Sequence, residues 1–160
     1  MIIGPRTPDA ILVLDTDVLN DWRSRKPATL KAINEYVAAI KAPPAFTSLT
    51  VFEAIHGFEK AAIKAGAMSE QIRQGKEMVR ELIRECAVLP FNQEAAEIAA
   101  YIYPRLSKSD QQRHRADIFI AATALAHEYG VATRNQSDYE LIARHTPPQY
   151  PPLRIEIWKA

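Results

Sequence analysis

The strongest constraint on the fold of this chain is a short apolar run that ends in two closely spaced carboxylates. Residues 11–14 read Ile-Leu-Val-Leu, and Asp15, Thr16 and Asp17 follow directly. An unbroken apolar run of this length indicates a strand buried on both faces, as in a parallel sheet. Because Asp15 ends this strand, we expect it to have no helix to cap, and burying it unpaired would be costly. The sequence therefore predicts a buried parallel strand and a charge that needs a partner.

Strand-like and helix-like segments alternate after this run. Further strands are predicted at 45–47, 88–91, 131–133 and 153–158, the last at a sheet edge. The apolar spacing predicts a helix from Asp17 and others at 28–41, 51–65, 69–86, 92–106, 117–129 and 138–144. This alternation predicts an α/β fold with a mainly parallel sheet. We find no linker, so we expect one domain over residues 1–160.

Local signals predict where several of these elements begin or end. Ser48 or Thr50 is expected to cap the helix that follows the second strand. Gly130 is expected to close the apolar, alanine-rich helix as a C-terminal glycine. The polar segment 107–115, SKSDQQRHR, is expected to be a loop. Asp117 would then open the next helix.

The composition limits the classes of function and partner. The chain has 160 residues, of which 48% are hydrophobic, and a formal net charge of +1. No overall charge excess indicates nucleic-acid or membrane binding, so any such site must be a local cluster. Cys86 is the single cysteine, which fits a reducing compartment, and no apolar run is long enough for a membrane span. Residues 1–10 lack the order of a signal peptide, so we expect a cytoplasmic protein.

Acidic residues recur where the predicted parallel strands end. They are Asp15 after the first strand, Glu53 one turn into the next helix, Asp117 at the start of the apolar helix, and Asp138 beyond the fourth strand. Ligand sites in open parallel sheets lie outside the carboxyl ends of the strands. Taken singly, Asp117 and Asp138 fit acids at helix N-termini, and Glu53 fits a capping box with Thr50. Taken together, converging carboxylates repel one another, and a divalent cation such as Mg²⁺ removes that repulsion.

Three blocks of the sequence resemble one known family. LDTDVL, SLTVFEAIHG and ADIFIAATALAHEYGVATRNQSDY occur in the order found in PIN domains, and within that family the chain is most similar to VapC-type toxins of bacterial toxin–antitoxin pairs. The blocks reach from Leu14 to Tyr139, and the third is the most specific. The resemblance implies a three-layer α/β/α fold with a mainly parallel central sheet. It also implies a Mg²⁺-dependent endoribonuclease that cleaves structured RNA and is silenced by an antitoxin encoded beside it.

The resemblance also assigns site residues, position by position. Asp15, Glu53, Asp117 and Asp138 match the family's four acids. They are therefore the expected catalytic residues and the expected ligands of Mg²⁺, with Mn²⁺ as an alternative. We expect Asp15 and Asp117 to bind the metal directly, and Glu53 and Asp138 to orient its waters.

Neighbouring positions agree with the family less uniformly. Thr133 and Asn135 match the polar residues around the last acid, and Ser48 matches a frequent serine before the second acid. Asp17 stands where many members have asparagine, so it either adds a fifth acid or replaces an amide cap. Tyr139 replaces a usual phenylalanine, which we expect to be harmless.

Polar and basic residues close to these acids are candidates for binding RNA. Arg113, His114 and Arg115 lie in the polar segment before the third acid, and Arg134 and Asn135 lie between the strand at 131–133 and the fourth acid, Asp138. Contacts from basic side chains to phosphate supply most non-specific affinity for nucleic acid. The alternative is a solvated loop, and the sequence does not decide between the two.

Two other functions fit parts of the sequence. Residues 14–19 fit the first motif of a haloacid-dehalogenase-type phosphatase, with Asp15 as nucleophile and Asp17 as general acid. That class needs a pair of acids at another strand end, whereas Asp117 stands alone. The second alternative is a PIN-like scaffold that binds RNA or protein without cleaving it.

The predicted helices at 51–65 and 69–86 offer more apolar surface than one small sheet needs. Part of this surface is a candidate for a homodimer face or for a groove that holds an antitoxin helix, as the resemblance also suggests. Ordinary core packing explains it equally well at this stage.

Overall fold

A computed structural model describes residues 11–159 of the chain. Residues 1–10, which extend ahead of the first strand, and Ala160 lie outside the described residues. The strands are β1 Leu12–Leu14, β2 Phe46–Thr47, β3 Val88–Leu89, β4 Gly130–Thr133 and β5 Ile155–Ile157. The helices are α1 Thr16–Arg23, α2 Pro27–Ile40, α3 Ser48–Ala65, α4 Glu70–Arg84, α5 Gln93–Ile102, α6 Lys108–Arg113, α7 Arg115–Ala126 and α8 Gln136–Ala143, with a 3₁₀ turn at Tyr103–Arg105.

The strands pair in parallel throughout the part of the chain that the structure describes. β4 lies between β1 and β5, and β2 pairs with β3. A single parallel bridge between Val13 and Ala45 joins the two pieces, with the Leu14 amide donating to the Ala45 carbonyl at 2.9 Å. The carboxyl ends of β1, β2 and β4 therefore meet at one edge, as the alternating pattern predicted.

Helices cover both faces of this sheet, and the pleat of β1 divides the core between them. Val13 packs into a cluster with Ile98 and Ile118 of α5 and α7. Leu12 and Leu14 point to the other side, into a cluster built largely from α1 to α4. Successive side chains of a strand face opposite ways, so one apolar run serves both clusters. The α/β/α layering implied by the resemblance is confirmed.

The segment 107–115 is not a loop, and this prediction was wrong. Ser107 is the N-cap of α6, and its hydroxyl accepts a hydrogen bond from the Asp110 amide at 3.1 Å. The Gln111 side chain ties the helix to the preceding turn by donating to the carbonyls of Tyr103 and Leu106 at 2.8 and 3.0 Å. A polar helix of this length has no apolar period, so only its cap signals it.

Gly130 is not a helix C-cap but the first residue of β4. Helix α7 ends at Ala126, and the left-handed residue behind it is Glu128, at φ 63°. A Cβ at Gly130 would lie 2.9 Å from the Arg154 carbonyl oxygen and 2.9 Å from Leu12 Cδ2. The glycine is therefore required by the close approach of β1 and the chain before β5, not by helix termination.

The cap of α3 also differs from both predicted residues. Thr47 is the N-cap, and its Oγ1 accepts a hydrogen bond from the Thr50 amide at 3.2 Å. Thr47 also ends β2, so one residue closes the strand and starts the helix that carries Glu53. Among the described residues, no helix is both long and apolar enough to cross a bilayer.

Candidate active site

Asp15 lies at the carboxyl end of β1 and is almost completely buried, at 3% exposure. Its Oδ1 accepts a hydrogen bond from the Thr16 amide at 2.6 Å, and its Oδ2 accepts one from Thr133 Oγ1 at 2.7 Å. Asp15 is thus the N-cap of α1, so the prediction that it has no helix to cap was wrong. The strand passes directly into the helix, and one carboxylate serves both the cap and the site.

Asp117 reaches the same place from the first turn of α7. Tyr139 donates a long hydrogen bond from its hydroxyl to Asp117 Oδ1, at 3.4 Å. His114 Nδ1 lies 3.6 Å from Asp117 Oδ2 and 3.9 Å from Asp138 Oδ2. Asp138, in the first turn of α8, is thereby brought next to Asp117.

Glu53 and Asp17 complete the cluster from α3 and α1. Glu53 Oε1 accepts a hydrogen bond of 2.6 Å from Thr16 Oγ1 across 37 residues of sequence. Asp17 Oδ2 accepts one of 2.8 Å from Asn135 Nδ2. The capping-box alternative for Glu53 with Thr50 does not hold, since Thr47 caps α3.

The charges of these acids act on one another strongly. Burial raises the pKa of Asp15 from 3.8 to about 7, with a further rise from the charge of Asp117 and a partial offset from the Thr133 hydrogen bond. Burial likewise raises the pKa of Asp117 to about 7, followed by the charges of Asp138, Glu53 and Asp17. The pKa of Tyr139 is held well above its usual value, first by burial and then by the same carboxylates. Five acids therefore share one pocket, and ionising them together is unfavourable.

The donor set of this pocket fits a divalent cation. Carboxylate oxygens are the ligands that hard cations such as Mg²⁺ prefer. Ligand atoms of His114, Asp117 and Asp138 all lie within 4.8 Å of one another, which one ion can span with small side-chain adjustments. Asp15 and Asp117 are the acids of this pocket whose pKa values are raised to about 7, by burial and by neighbouring carboxylates, so a cation would favour their ionised forms.

A cavity of about 560 Å³ opens beside Glu53, between α3 and the start of α7. Arg113 and Arg115 line it together with Lys60, and all three side chains are exposed. Phe52 and His56 stack on its wall, with ring centroids 5.1 Å apart and an interplanar angle of 12°. Exposed cations beside aromatic rings next to a carboxylate cluster form a surface that suits a polyanionic chain with flat bases.

Arg134 and Asn135 have partners within the protein. Arg134 Nε lies 3.3 Å from Asp21 Oδ2 and its NH2 3.9 Å from Asp17 Oδ1, while Asn135 binds Asp17. Asp21 is a residue of α1 that is 5% exposed, so Arg134 places its guanidinium against a buried carboxyl group. These contacts orient the loop after β4 whether or not RNA contacts it.

Sequence reasoning missed three contributors to the pocket. Thr16 has no role in the sequence analysis, yet its hydroxyl donates to Glu53. Tyr139 was expected to be a harmless replacement, yet its hydroxyl faces Asp117. His114 was placed among exposed basic residues, but it is 4% exposed. Its position one helical turn before Asp117 was the available signal.

Comparison with known proteins shows similarity to one protein family and to several of its members. A family model described as the PIN domain matches residues 12–143. The VapC ribonuclease Y4jK of Sinorhizobium fredii is 32% identical over 133 residues, which cover 81% of this chain and 91% of that protein. The DNA-bound VapBC structure from Salmonella typhimurium contains a chain that matches with a TM-score of 0.65 at 21% identity, covering 94% of this chain and 99% of that one. VapBC-5 of Mycobacterium tuberculosis, a member of the VapBC family of toxin–antitoxin systems, gives 0.60 at 22% identity, with 94% and 99% covered.

Proposed function

Since the chain belongs to the PIN domain family, we propose that it is a metal-dependent endoribonuclease, the toxin of a toxin–antitoxin pair, that hydrolyses phosphodiester bonds in RNA. The observation that carries this proposal is the convergence of Asp15, Glu53, Asp117 and Asp138 at one edge of the parallel sheet. The ribonuclease named above supports RNA as the substrate class.

In this proposal Asp15 and Asp117 bind Mg²⁺ directly, with Mn²⁺ as the alternative. A metal held by these residues would supply Lewis-acid chemistry, polarising a phosphate oxygen and lowering the pKa of a water for attack on phosphorus. Glu53 and Asp138 accept hydrogen bonds from waters and so fix the direction of attack. Each group enters from a different element, which favours a rigid arrangement.

Neutral hydroxyls in the pocket hold the acids in place. Thr133 fixes Asp15, and Thr16 fixes Glu53, each by donating one hydrogen bond. Tyr139 stays protonated because its pKa is raised, so it donates to Asp117 at every working pH. Donors of this kind orient carboxylates without neutralising them, which leaves the negative charge to the cation.

The RNA strand is proposed to lie along the cavity beside Glu53. Arg113 and Arg115 bind its phosphates there, and Arg134 and Asn135 contribute by orienting Asp17 and the loop after β4. Phosphate contacts of this kind position the chain without reading its sequence.

A cognate antitoxin is the proposed protein partner. The support comes from the solved relatives, since VapBC-5 is described as part of a toxin–antitoxin system. A cavity of about 340 Å³ between α1, α2 and α4 has apolar walls from Trp22, Leu30, Met78 and Leu82 and charged ones from Arg23, Arg25 and Glu81, which suits a partner with both kinds of side chain.

A homodimer and a cytoplasmic location remain predictions. Ile63, on the outer face of α3, is 81% exposed, which suits contact with a second copy. The mass of the isolated chain, measured by light scattering after size exclusion, tests dimerisation directly.

The family assignment favours the nuclease over the two alternatives. The PIN domain match over residues 12–143 and the ribonuclease relative favour phosphodiester cleavage over a phosphatase that uses Asp15 as nucleophile. A silent scaffold would not need five mutually repelling acids, four of which match the family's set. We therefore favour the ribonuclease over the phosphatase and the silent scaffold.

RNA cleavage with Asp15→Asn and Asp117→Asn tests the proposal. Both variants should lose at least about 100-fold in rate with Mg²⁺, because each removes a ligand charge. Asp110→Asn is the matched control, since Asp110 also lies in the first turn of a helix but outside the pocket. Near wild-type rates in either site variant, or hydrolysis of small phosphomonoesters instead of RNA, would refute the assignment.

A further inference from the structure

His114 occupies an unusual position for a histidine in a basic segment. It links α6 to α7, it is 4% exposed, and its ring nitrogen Nδ1 points between the carboxylates of Asp117 and Asp138. Among residues 11–159, that nitrogen has no hydrogen-bond partner. A buried polar nitrogen without a hydrogen bond costs free energy, so its placement requires a reason.

The spacing of the three ligand atoms differs from that of an ordinary ion pair. Charge-assisted hydrogen bonds between nitrogen and oxygen are about 2.7–2.9 Å long. Here Nδ1 lies 3.6 Å from Asp117 Oδ2 and 3.9 Å from Asp138 Oδ2. Two ligand atoms at about 2.1 Å from one octahedral ion are about 3.0 Å apart when adjacent and about 4.2 Å apart when opposite. The observed distances lie between these limits.

We propose that His114 is a metal ligand, so that His114, Asp117 and Asp138 together hold a cation through one nitrogen and two carboxylates. The inference rests on the proposed nuclease function for Asp117 and Asp138. It makes Asp138 a direct ligand instead of a residue that only orients waters, and it adds a donor that the four-acid set does not contain. Imidazole is a poorer ligand for Mg²⁺ than oxygen and a good one for transition metals. The position therefore prefers Mn²⁺ over Mg²⁺.

Pulsed electron paramagnetic resonance of the tag-free protein with Mn²⁺ alone tests this ligand without measuring activity. Wild type should show a ¹⁴N coupling to Mn²⁺, and expression with ¹⁵N-labelled histidine should convert it to a ¹⁵N coupling. His114→Gln should lose it, whereas His127→Gln should keep it, because His127 contacts the Pro90 carbonyl away from the pocket. Bound Mn²⁺ without nitrogen coupling, or coupling that survives in His114→Gln, would overturn the inference.

Calorimetry gives a second measurement on the same variants. His114→Gln should weaken Mn²⁺ binding about tenfold or more, whereas Mg²⁺ binding should change less than about threefold. Equal losses for both metals would contradict a nitrogen ligand and indicate a positioning role for His114.

One further variant guards against misfolding of His114→Gln. The chain has four histidines, and replacing His56, His127 and His145 together by glutamine leaves His114 alone. This variant should retain the full ¹⁴N coupling, and its loss would also overturn the inference. RNA cleavage by Asp117→Asn decides the nuclease proposal separately, so wild type can lack nitrogen coupling while the nuclease proposal stands.

Discussion

The hydroxyl of Thr133 donates a 2.7 Å hydrogen bond to Asp15 Oδ2, joining the ends of β4 and β1 across 118 residues of sequence. Thr133 Oγ1 also accepts a hydrogen bond of 3.0 Å from the Asn135 amide. Thr133 is fully buried, so water cannot replace it. One hydroxyl therefore orients Asp15 and starts the loop that carries Asn135 to Asp17.

Thr133→Val tests this relationship. Valine keeps the shape but removes the donor and the acceptor, so unfolding should become easier by about 1–3 kcal/mol. The kcat for RNA should fall on the order of tenfold, with little change in KM, because a buried residue that contacts Asp15 does not touch the substrate. Thr133→Ser keeps the hydroxyl and should recover most of the kcat. If serine is as slow as valine, the hydrogen bond is not the cause.

Asp117→Asn should stabilise the metal-free protein, and more so at high pH. The pKa of Asp117 is raised to about 7 in the folded state from 3.8, so the folded chain retains a proton that the unfolded chain releases between these values. Stability is therefore lost as pH rises from about 4 to about 7, and the variant avoids this loss. The charged or titratable groups that face Asp117 are Asp15, Asp17, Glu53, His114, Asp138 and Tyr139.

Thermal unfolding in EDTA at pH 5 and pH 8 measures this effect. At pH 8 the Tm of Asp117→Asn should exceed that of wild type by several degrees, since about 1 kcal/mol corresponds to about 2–4 °C in a chain of this size. At pH 5 the difference should be clearly smaller, because most of the loss falls between pH 5 and pH 7. Asp110→Asn should show no such dependence on pH. An Asp117→Asn variant that is less stable at both pH values would mean that repulsion is not the dominant effect.

The apolar run at 11–14 was enough to predict β1, its burial and its parallel neighbours. The meeting of Asp15, Glu53 and Asp117 was predictable because parallel strands bring their carboxyl ends to one edge. The requirement for glycine at position 130 was not, because it comes from the Arg154 carbonyl, which only the folded chain brings near. The burial of His114 could not be predicted from the sequence for a similar reason. Helix α6 has no apolar period, and His114 is buried where the folded chain passes from α6 to α7.

Mg²⁺ should raise the Tm of the wild type by binding the folded state alone. At a concentration 100 times the dissociation constant, the stabilisation is about 2.7 kcal/mol. Differential scanning fluorimetry across millimolar MgCl₂, with NaCl matched for ionic strength, measures the shift. Asp15→Asn should abolish it and Asp110→Asn should retain it. A wild-type Tm that does not respond to Mg²⁺ would count against a metal in this pocket.

Replacing Arg113 and Arg115 together by alanine should weaken RNA binding and make it less sensitive to salt. Each phosphate contact adds about 0.7 to the slope of log K against log salt for a single strand, so losing two should flatten it by about 1.4. Anisotropy of labelled RNA in EDTA measures the slope without cleavage. Arg73→Ala with Arg80→Ala removes the same charge from α4, where both side chains pair with glutamates, and should leave the slope nearly unchanged. Equal slopes for the two double variants would assign the effect to net charge instead of the cavity beside Glu53.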